Sequence, residues 1–330
     1  MQVHVEGVDE LRFDDGTPVS AASGIAPLGD GWLVAQDDAT HAAWCRPGSV
    51  TPVRVLPPVE GHDRFAEAAG TKHLKPDLEV ACPVEVDGTA AVLLLGSGSS
   101  PRRMRGVLVR LADDGPVARP GDLTPLYSEV AGVLGVALDQ LNLEGASRHG
   151  ATVRWFQRGN LAARVPSASV AVPLDGLVAA VLGRIDPRQV PVADPHEYDL
   201  GGVGGVGLAV TDAVALPDGR TLASAAAEDT ANAVDDGPVV ATALALLEGE
   251  RLLAVEPVPE VGGRVHKIEG LALREVRGSE VDLVAVVDDD DPDRPSAVLR
   301  VRAVLGRAGE PRPVSGAGRG LPAGRRDPRP

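Results

Sequence analysis

Short apolar runs broken by polar and glycine-rich turns fill this chain, and they recur with a period of about sixty residues. The runs at 91–95 and 107–111, 152–156 and 167–172, 239–247 and 252–255, and 281–287 and 297–304 are rich in Val, Ala and Leu. Each has the length of a strand rather than of a helix. Residues 23–38 read as a strand, a Gly-Asp-Gly turn and a second strand that ends on Asp37 and Asp38. Residues 211–229 repeat that plan around Pro217-Asp-Gly219 and end on Glu228 and Asp229. Helical periodicity is confined to 177–185, while the Pro- and charge-rich segments 58–76 and 186–200 read as loops.

One phrase recurs within this pattern: Asp77-Leu-Glu79-Val-Ala, Asn142-Leu-Glu144-Gly-Ala and Lys267-Ile-Glu269-Gly-Leu-Ala. The steps are 65 residues from Glu79 to Glu144 and 125 from Glu144 to Glu269, about two of the first. Placing the turn at Asp30 on that at Asp218 sets Gly24 opposite Asp212 and supplies the copy missing between Glu144 and Glu269. Five units then begin near residues 24, 79, 144, 212 and 269. About four short strands per unit is the composition of a propeller blade. The expectation is an all-β propeller over residues 1–305, of five four-stranded blades, or six if the long third unit hides another. Residues 3–13 would complete the last blade and close the ring.

Composition supports many turns over long helices: 39 glycines, 28 prolines and only 2% aromatics among 330 residues. Residues 306–330, rich in Arg, Pro and Gly, read as a disordered basic tail with no core to bury. That tail holds six arginines against Glu310 and Asp327, a local +4, so the net −15 of the chain leaves about −19 on the rest. An acidic body argues against nucleic acid as a partner, because phosphate neutralisation needs a basic face. Two cysteines, Cys45 and Cys82, make neither a disulfide framework nor a metal cluster. No signal peptide is legible, and no apolar run reaches the length of a membrane span, so a cytoplasmic protein is expected.

In a propeller the innermost strands line a central channel, which would bring Glu79, Glu144 and Glu269 together, with Asp212 beside them. Clustered carboxylates repel; either one stays protonated or a hard cation such as calcium sits between them, with Asn142 able to add an amide oxygen. The other reading of each glutamate is a local hydrogen bond that holds neighbouring blades. Asp37, Asp38, Asp288 and Asp289 form a second acidic set at strand ends, either a cation site or a solvated turn. Ser97, Ser99 and Arg103, in Gly96-Ser-Gly-Ser-Ser100-Pro-Arg-Arg103, read either as a flexible inter-strand loop or as holders of an anion, and Arg158 at the corresponding place in the third unit invites the same two readings. His266 and Lys267, just before Glu269, read first as exposed surface residues and otherwise as assistants to a channel reaction. The run Gly202-Val-Gly204-Gly-Val-Gly207 formally fits a dinucleotide fingerprint, but no helix follows it, so no nucleotide cofactor is expected. No residue is singled out as catalytic.

Several phrases in order resemble an uncharacterised bacterial propeller family related to phytase-like ("esterase-like activity of phytase") proteins. They are Ser23-Gly-Ile, Leu74-Lys-Pro-Asp-Leu-Glu79, Gly96-Ser-Gly-Ser, Asn142-Leu-Glu-Gly145, Phe156-Gln-Arg-Gly-Asn160, Lys267-Ile-Glu-Gly270 and the acidic run from Asp288 to Pro292. The resemblance implies a propeller with an axial site. The wider set of channel-metal propellers, gluconolactonases and paraoxonases among them, implies calcium held by Glu, Asn and Asp. Glu79, Glu144, Glu269 and Asn142 match those types here, whereas Ala26 stands where a carboxylate would be expected after Ser23-Gly-Ile. Two functions follow as expectations: a cation-dependent hydrolase of an ester, lactone or phosphoester, or a propeller that binds a small anion or a protein partner without turnover.

Overall fold

The computed structural model describes residues 1–160, 162–229, 237–288 and 294–306. Its strands form five separate antiparallel sheets. Blade 1 is Ala22–Leu28, Gly31–Gln36, His41–Arg46 and Ser49–Arg54. Blade 2 is Leu78–Val86, Thr89–Gly96, Arg105–Ala112 and Gly115–Asp122. Blade 3 is Leu143–His149, Thr152–Gln157, Ser167–Pro173 and Ala193–Tyr198. Blade 4 is Val206–Ala215, Thr221–Glu228, Val239–Glu248 and Arg251–Pro257, with the two-residue strand Gly202–Val203 as a fifth member. Blade 5 is Ile268–Arg277, Glu280–Val287 and Ala297–Val304, completed by the N-terminal strand Gln2–Glu10. The first strand of each blade touches the first strand of the next, and blade 5 touches blade 1, so a ring of five inner strands surrounds the axis.

The expected five blades and the expected closure by the N-terminal segment are both present. The sixth blade is not: the extra length between the second and fourth units is helix. Thr124–Leu134 (α1) follows blade 2, and Leu174–Val181 (α2) joins the third and fourth strands of blade 3. Helix α2 overlaps the predicted helical stretch at 177–185, but α1 was not foreseen. It starts with Pro125 in its first turn and stops at Gly135, whose φ of 68° suits a left-handed cap. Leu126, Tyr127, Val130 and Ala131 form its buried side, and the Tyr127 ring meets Trp155 edge-on at 4.9 Å. A second difference lies at 186–200, expected as loop, where Ala193–Tyr198 adds an outer strand. Its Pro195 and its exposure are those of a sheet edge, where a missing N–H costs nothing.

The recurring glycine of the sequence phrases has a packing reason. A Cβ on Gly145 would lie 2.8 Å from the Asp212 Cα of blade 4, and one on Gly270 would lie 2.8 Å from the Gly24 Cα of blade 1. Inner strands can approach that closely only where one of the pair lacks a side chain. The Gly202–Gly207 run is a hairpin whose turn glycines, Gly204 and Gly205, have φ of 61° and 88°. Cys45 and Cys82 are free thiols, and burial pushes each up to about 12. No helix among the described residues is long and apolar enough to cross a membrane. The expected tail lies outside the described residues from 307 onward.

Candidate functional site

Every inner strand carries a bulge at the same register, between Ala22 and Gly24, Leu78 and Val80, Leu143 and Gly145, Val210 and Asp212, and Ile268 and Gly270. The bulged residues are Ser23, Glu79, Glu144, Thr211 and Glu269, one per blade. A bulge re-aims its side chain away from the regular pleat. Glu79, Glu144 and Glu269 line one polar pocket of about 80 Å³ at the axis, together with Asn142, Asp37, Asp77, Asp288, Lys75, Arg103, Arg158 and Lys267. At the other two bulges a hydroxyl spans the gap between blades. Ser23 Oγ donates to the Leu78 carbonyl at 2.5 Å, and Thr211 Oγ1 donates to the Ile268 carbonyl at 2.6 Å.

The pocket walls are ion pairs of two groups. On the blade 1–2 side the Lys75 ammonium lies 2.5 Å from Asp37 Oδ2 and 2.7 Å from Asp77 Oδ1. Arg103 donates to Asp77 Oδ2 at 2.7 Å and to Ser99 Oγ at 2.8 Å, and Ser97 donates to the same Asp77 oxygen. Burial alone would raise the Asp77 pKa, but Lys75 and Arg103 overcome it and hold the carboxyl below its ordinary value. On the blade 3–5 side Arg158 NH1 donates to Glu144 Oε1 at 2.8 Å and its NH2 donates to Glu228. Lys267 Nζ lies 3.2 Å from Glu228 and 2.8 Å from Glu269. Glu228, anchored further by the Gly237 N–H at 2.8 Å, is held below its ordinary pKa by Lys267 and Arg158 against the effect of burial.

Two carboxyls escape this compensation. Glu79 makes no hydrogen bond or ion pair with any described residue; burial first, then the charges of Asp77 and Asp37, push its pKa well above the usual carboxylate range. Glu144 receives Arg158 and the Asn142 amide (2.7 Å) on Oε1, while its buried Oε2 has no hydrogen-bond partner among the described residues. Burial pushes the Glu144 pKa up to about 7, Arg158 opposing and the charge of Glu269 assisting. Carboxylate oxygens of Asp37, Asp77 and Glu79 all lie within 4.8 Å of one another, a separation a shared cation can span.

The other sequence candidates divide plainly. Asn142 faces the pocket, but its amide nitrogen is spent on Glu144. Asp288 lines the pocket beside Asp37, while Asp289 lies outside the described residues. Asp38 turns to the Ser20 hydroxyl, 3.3 Å away, and burial together with Asp37 pushes its pKa up to about 6. Ser97, Ser99 and Arg103 do converge, on the carboxylate of Asp77, so the anion they hold is the chain's own. Arg158 likewise holds Glu144 and Glu228.

Asp212 does not line the pocket; it accepts the Leu271 N–H of blade 5 at 2.7 Å and the Ala146 N–H of blade 3 at 3.4 Å, tying both neighbours to blade 4. Asp212→Ala leaves those buried donors without acceptors. The expected loss is about 1–3 kcal/mol per orphaned group in chemical denaturation, with ligand binding in the axial pocket unchanged.

Lys75, Asp77 and Glu228 were not singled out from sequence. A signal for Asp77 existed: in each phrase the residue two before the glutamate (Asp77, Asn142, Lys267) falls on the same strand face. Lys75 and Glu228 reach the site from a loop and a strand end, where no periodicity marks them.

The chain belongs to a family of unknown function (DUF6910), matched over residues 71–292. No functionally curated protein matches it. Among solved structures it is similar to a GDP-Man-dependent mannosyltransferase, MPT-1, from Leishmania mexicana, at 14% identity over 93% of both chains with a TM-score of 0.45. A luciferin-regenerating enzyme is similar at 11% identity over 88% of this chain and 79% of that one, TM-score 0.41. A putative gluconolactonase is similar at 10% identity over 84% and 73%, TM-score 0.37. Likenesses this loose carry nothing about chemistry.

Proposed function

We propose that the axial pocket holds a divalent cation through Asp37, Asp77 and Glu79, calcium being the first candidate, and that this centre serves hydrolysis of an ester, lactone or phosphoester. The observation that carries the reading is Glu79. It is a half-buried carboxyl with no hydrogen bond or ion pair among the described residues, in a pocket where its neighbours Asp37 and Asp77 already share the Lys75 ammonium. A cation beside it would neutralise the cluster and act as a Lewis acid toward the reacting oxygen. The chain's own residues have separate tasks. Asn142 and Arg158 fix one oxygen of Glu144 and leave the other buried without a hydrogen-bond partner among the described residues, in a carboxyl poised near neutrality to give or take a proton. Lys75 competes with the cation for Asp37 and Asp77, so Lys75→Met is expected to tighten cation binding.

The second reading, a propeller without turnover whose axial carboxylates are structural and whose partner binds elsewhere, is favoured by the completeness of the ion pairs: Arg103, Arg158 and Lys267 are each committed to carboxylates of the chain. One experiment separates the two. Metal-free protein is titrated with calcium and assayed against a panel of simple esters, lactones and phosphoesters. The hydrolase reading expects cation-dependent turnover that Glu79→Gln and Glu144→Gln each abolish. Silence across the panel with and without calcium, and a melting temperature that calcium does not raise, leaves the non-catalytic reading standing.

A further inference from the structure

A second cavity, sharing no lining residue with this pocket, lies between blades 1 and 5, and its walls are of the opposite kind. It encloses about 290 Å³ between Ile25, Trp32 and Val34 of blade 1 and Val284 and Val298 of blade 5, with Arg274 and Arg300 among its lining residues. Ile25, Val34 and Val284 are buried members of the cluster that seals these two blades, and Trp32 and Val298 pack against it. The volume sits at the low end of ligand pockets, where an apolar lining with a few polar groups is the usual composition.

The charges at this cavity decide what fits. Arg274 is the extra residue of a bulge between Leu273 and Glu275, which turns it out of the regular pleat. It makes no hydrogen bond or ion pair with any described residue. Arg300 is paired with Asp9 and remains half exposed. The indole N–H of Trp32 likewise has no hydrogen-bond partner among the described residues. The chamber itself is apolar, and the exposed Arg274, unpaired among the described residues, stands at its rim while Arg300 is drawn to Asp9; that arrangement suits an apolar body bearing an anionic head. The chain's own basic segment 307–330 is a poor occupant, since its net +4 meets arginines of the same sign.

We propose that the cavity between blades 1 and 5 is a binding site for a small amphipathic carboxylate, its apolar body between Trp32 and Val284 and its carboxylate on Arg274. The site is independent of the axial chemistry and stands or falls separately from it. A carboxylate on guanidinium is a charge-assisted pair, stronger than a neutral hydrogen bond and demanding an anion.

Octanoate is the probe. It is titrated into the full chain by calorimetry, with 1-octanol and octyltrimethylammonium as matched controls and with tryptophan emission as a second readout. The expected result is saturable one-to-one binding of octanoate and, by the worth of a charge-assisted bond, roughly tenfold weaker binding of octanol. No binding of the cationic analogue is expected. Arg274→Glu, an exposed change, is expected to lower octanoate affinity by at least about tenfold without touching octanol. Val298→Trp fills the chamber and is expected to remove both. Octanoate and octanol binding equally, Arg274→Glu leaving octanoate unaffected, or no saturable octanoate binding at all would each overturn the proposal; a misfolded Val298→Trp leaves the Arg274 comparison to decide it.

Discussion

Arg158→Met is expected to cost about 3–5 kcal/mol, the range for removing one partner of a buried ion pair. The guanidinium reaches Glu144 with one nitrogen and Glu228 with the other; the two carboxylates are almost fully enclosed and the arginine is partly so, 16% exposed. Burial opposes its charge, yet Glu144, Glu228 and Glu269 together hold its pKa well above the ordinary value. Methionine fills much of the same volume and supplies no charge, leaving two carboxylates to face one another, with Lys267 still paired with Glu228. Against a total stability of about 5–15 kcal/mol this is a large fraction. Arg158→Lys is not expected to restore it, because one ammonium cannot present the two-pronged geometry that the pair of glutamates accepts. Adding Glu144→Gln to Arg158→Met removes one of the stranded charges and is expected to recover part of the loss. Urea denaturation of the three variants at neutral pH measures all of this.

The second large effect is on pH dependence. Glu79 and Glu144 both have folded-state pKa values above the ordinary 4.5, Glu144 at about 7. Between 4.5 and those raised values the native state keeps protons that the unfolded chain has released, so stability falls as pH rises through this window. The contribution is fully present below the unfolded pKa and is lost upward. For Glu144 alone the displacement corresponds to a few kcal/mol. In metal-free protein Glu144→Gln, and more strongly the double variant with Glu79→Gln, is expected to flatten the decline between about pH 5 and pH 8. A bound cation reverses the sign, since it favours the ionised carboxylates: calcium is expected to stabilise the wild type increasingly as pH rises, and Glu79→Gln not at all. Thermal melts across that range, with and without calcium, give both slopes.

How much of this was legible in the sequence differs by level. The blade repeat was readable because three of the five units restate one local device, an apolar strand opening on x-Leu/Ile-Glu, and the structure gives that device a single cause in the bulge. Reading Gly24 opposite Asp212 was correct in register, since each follows its bulge. The same register makes Thr211, and not Asp212, the counterpart of Glu79, which is why Asp212 ties backbones while its neighbour's equivalents face the pocket. Helix α1 was missed because only eleven residues carry its stripe and Pro125 opens it. Among the site's cations Arg103, Arg158 and Lys267 stand out as candidates in the sequence, but their pairing with the chain's own carboxylates does not, and Lys75 does not stand out at all. Lys75 stands in an irregular loop and Arg103 in a short 3-10 turn, so their meeting with Asp77 depends on how the blades close, not on spacing along the chain.

The central claim is that the pocket is built to hold a cation among Asp37, Asp77 and Glu79. Diffraction from crystals of the metal-free protein soaked in calcium, and in manganese for its anomalous signal, tests this most directly. The account predicts a peak with carboxylate oxygens from those three residues at roughly 2.0–2.6 Å and the Lys75 ammonium displaced from between Asp37 and Asp77. A soaked crystal with Lys75 still bridging the two aspartates, and no ion beside Glu79, would contradict it.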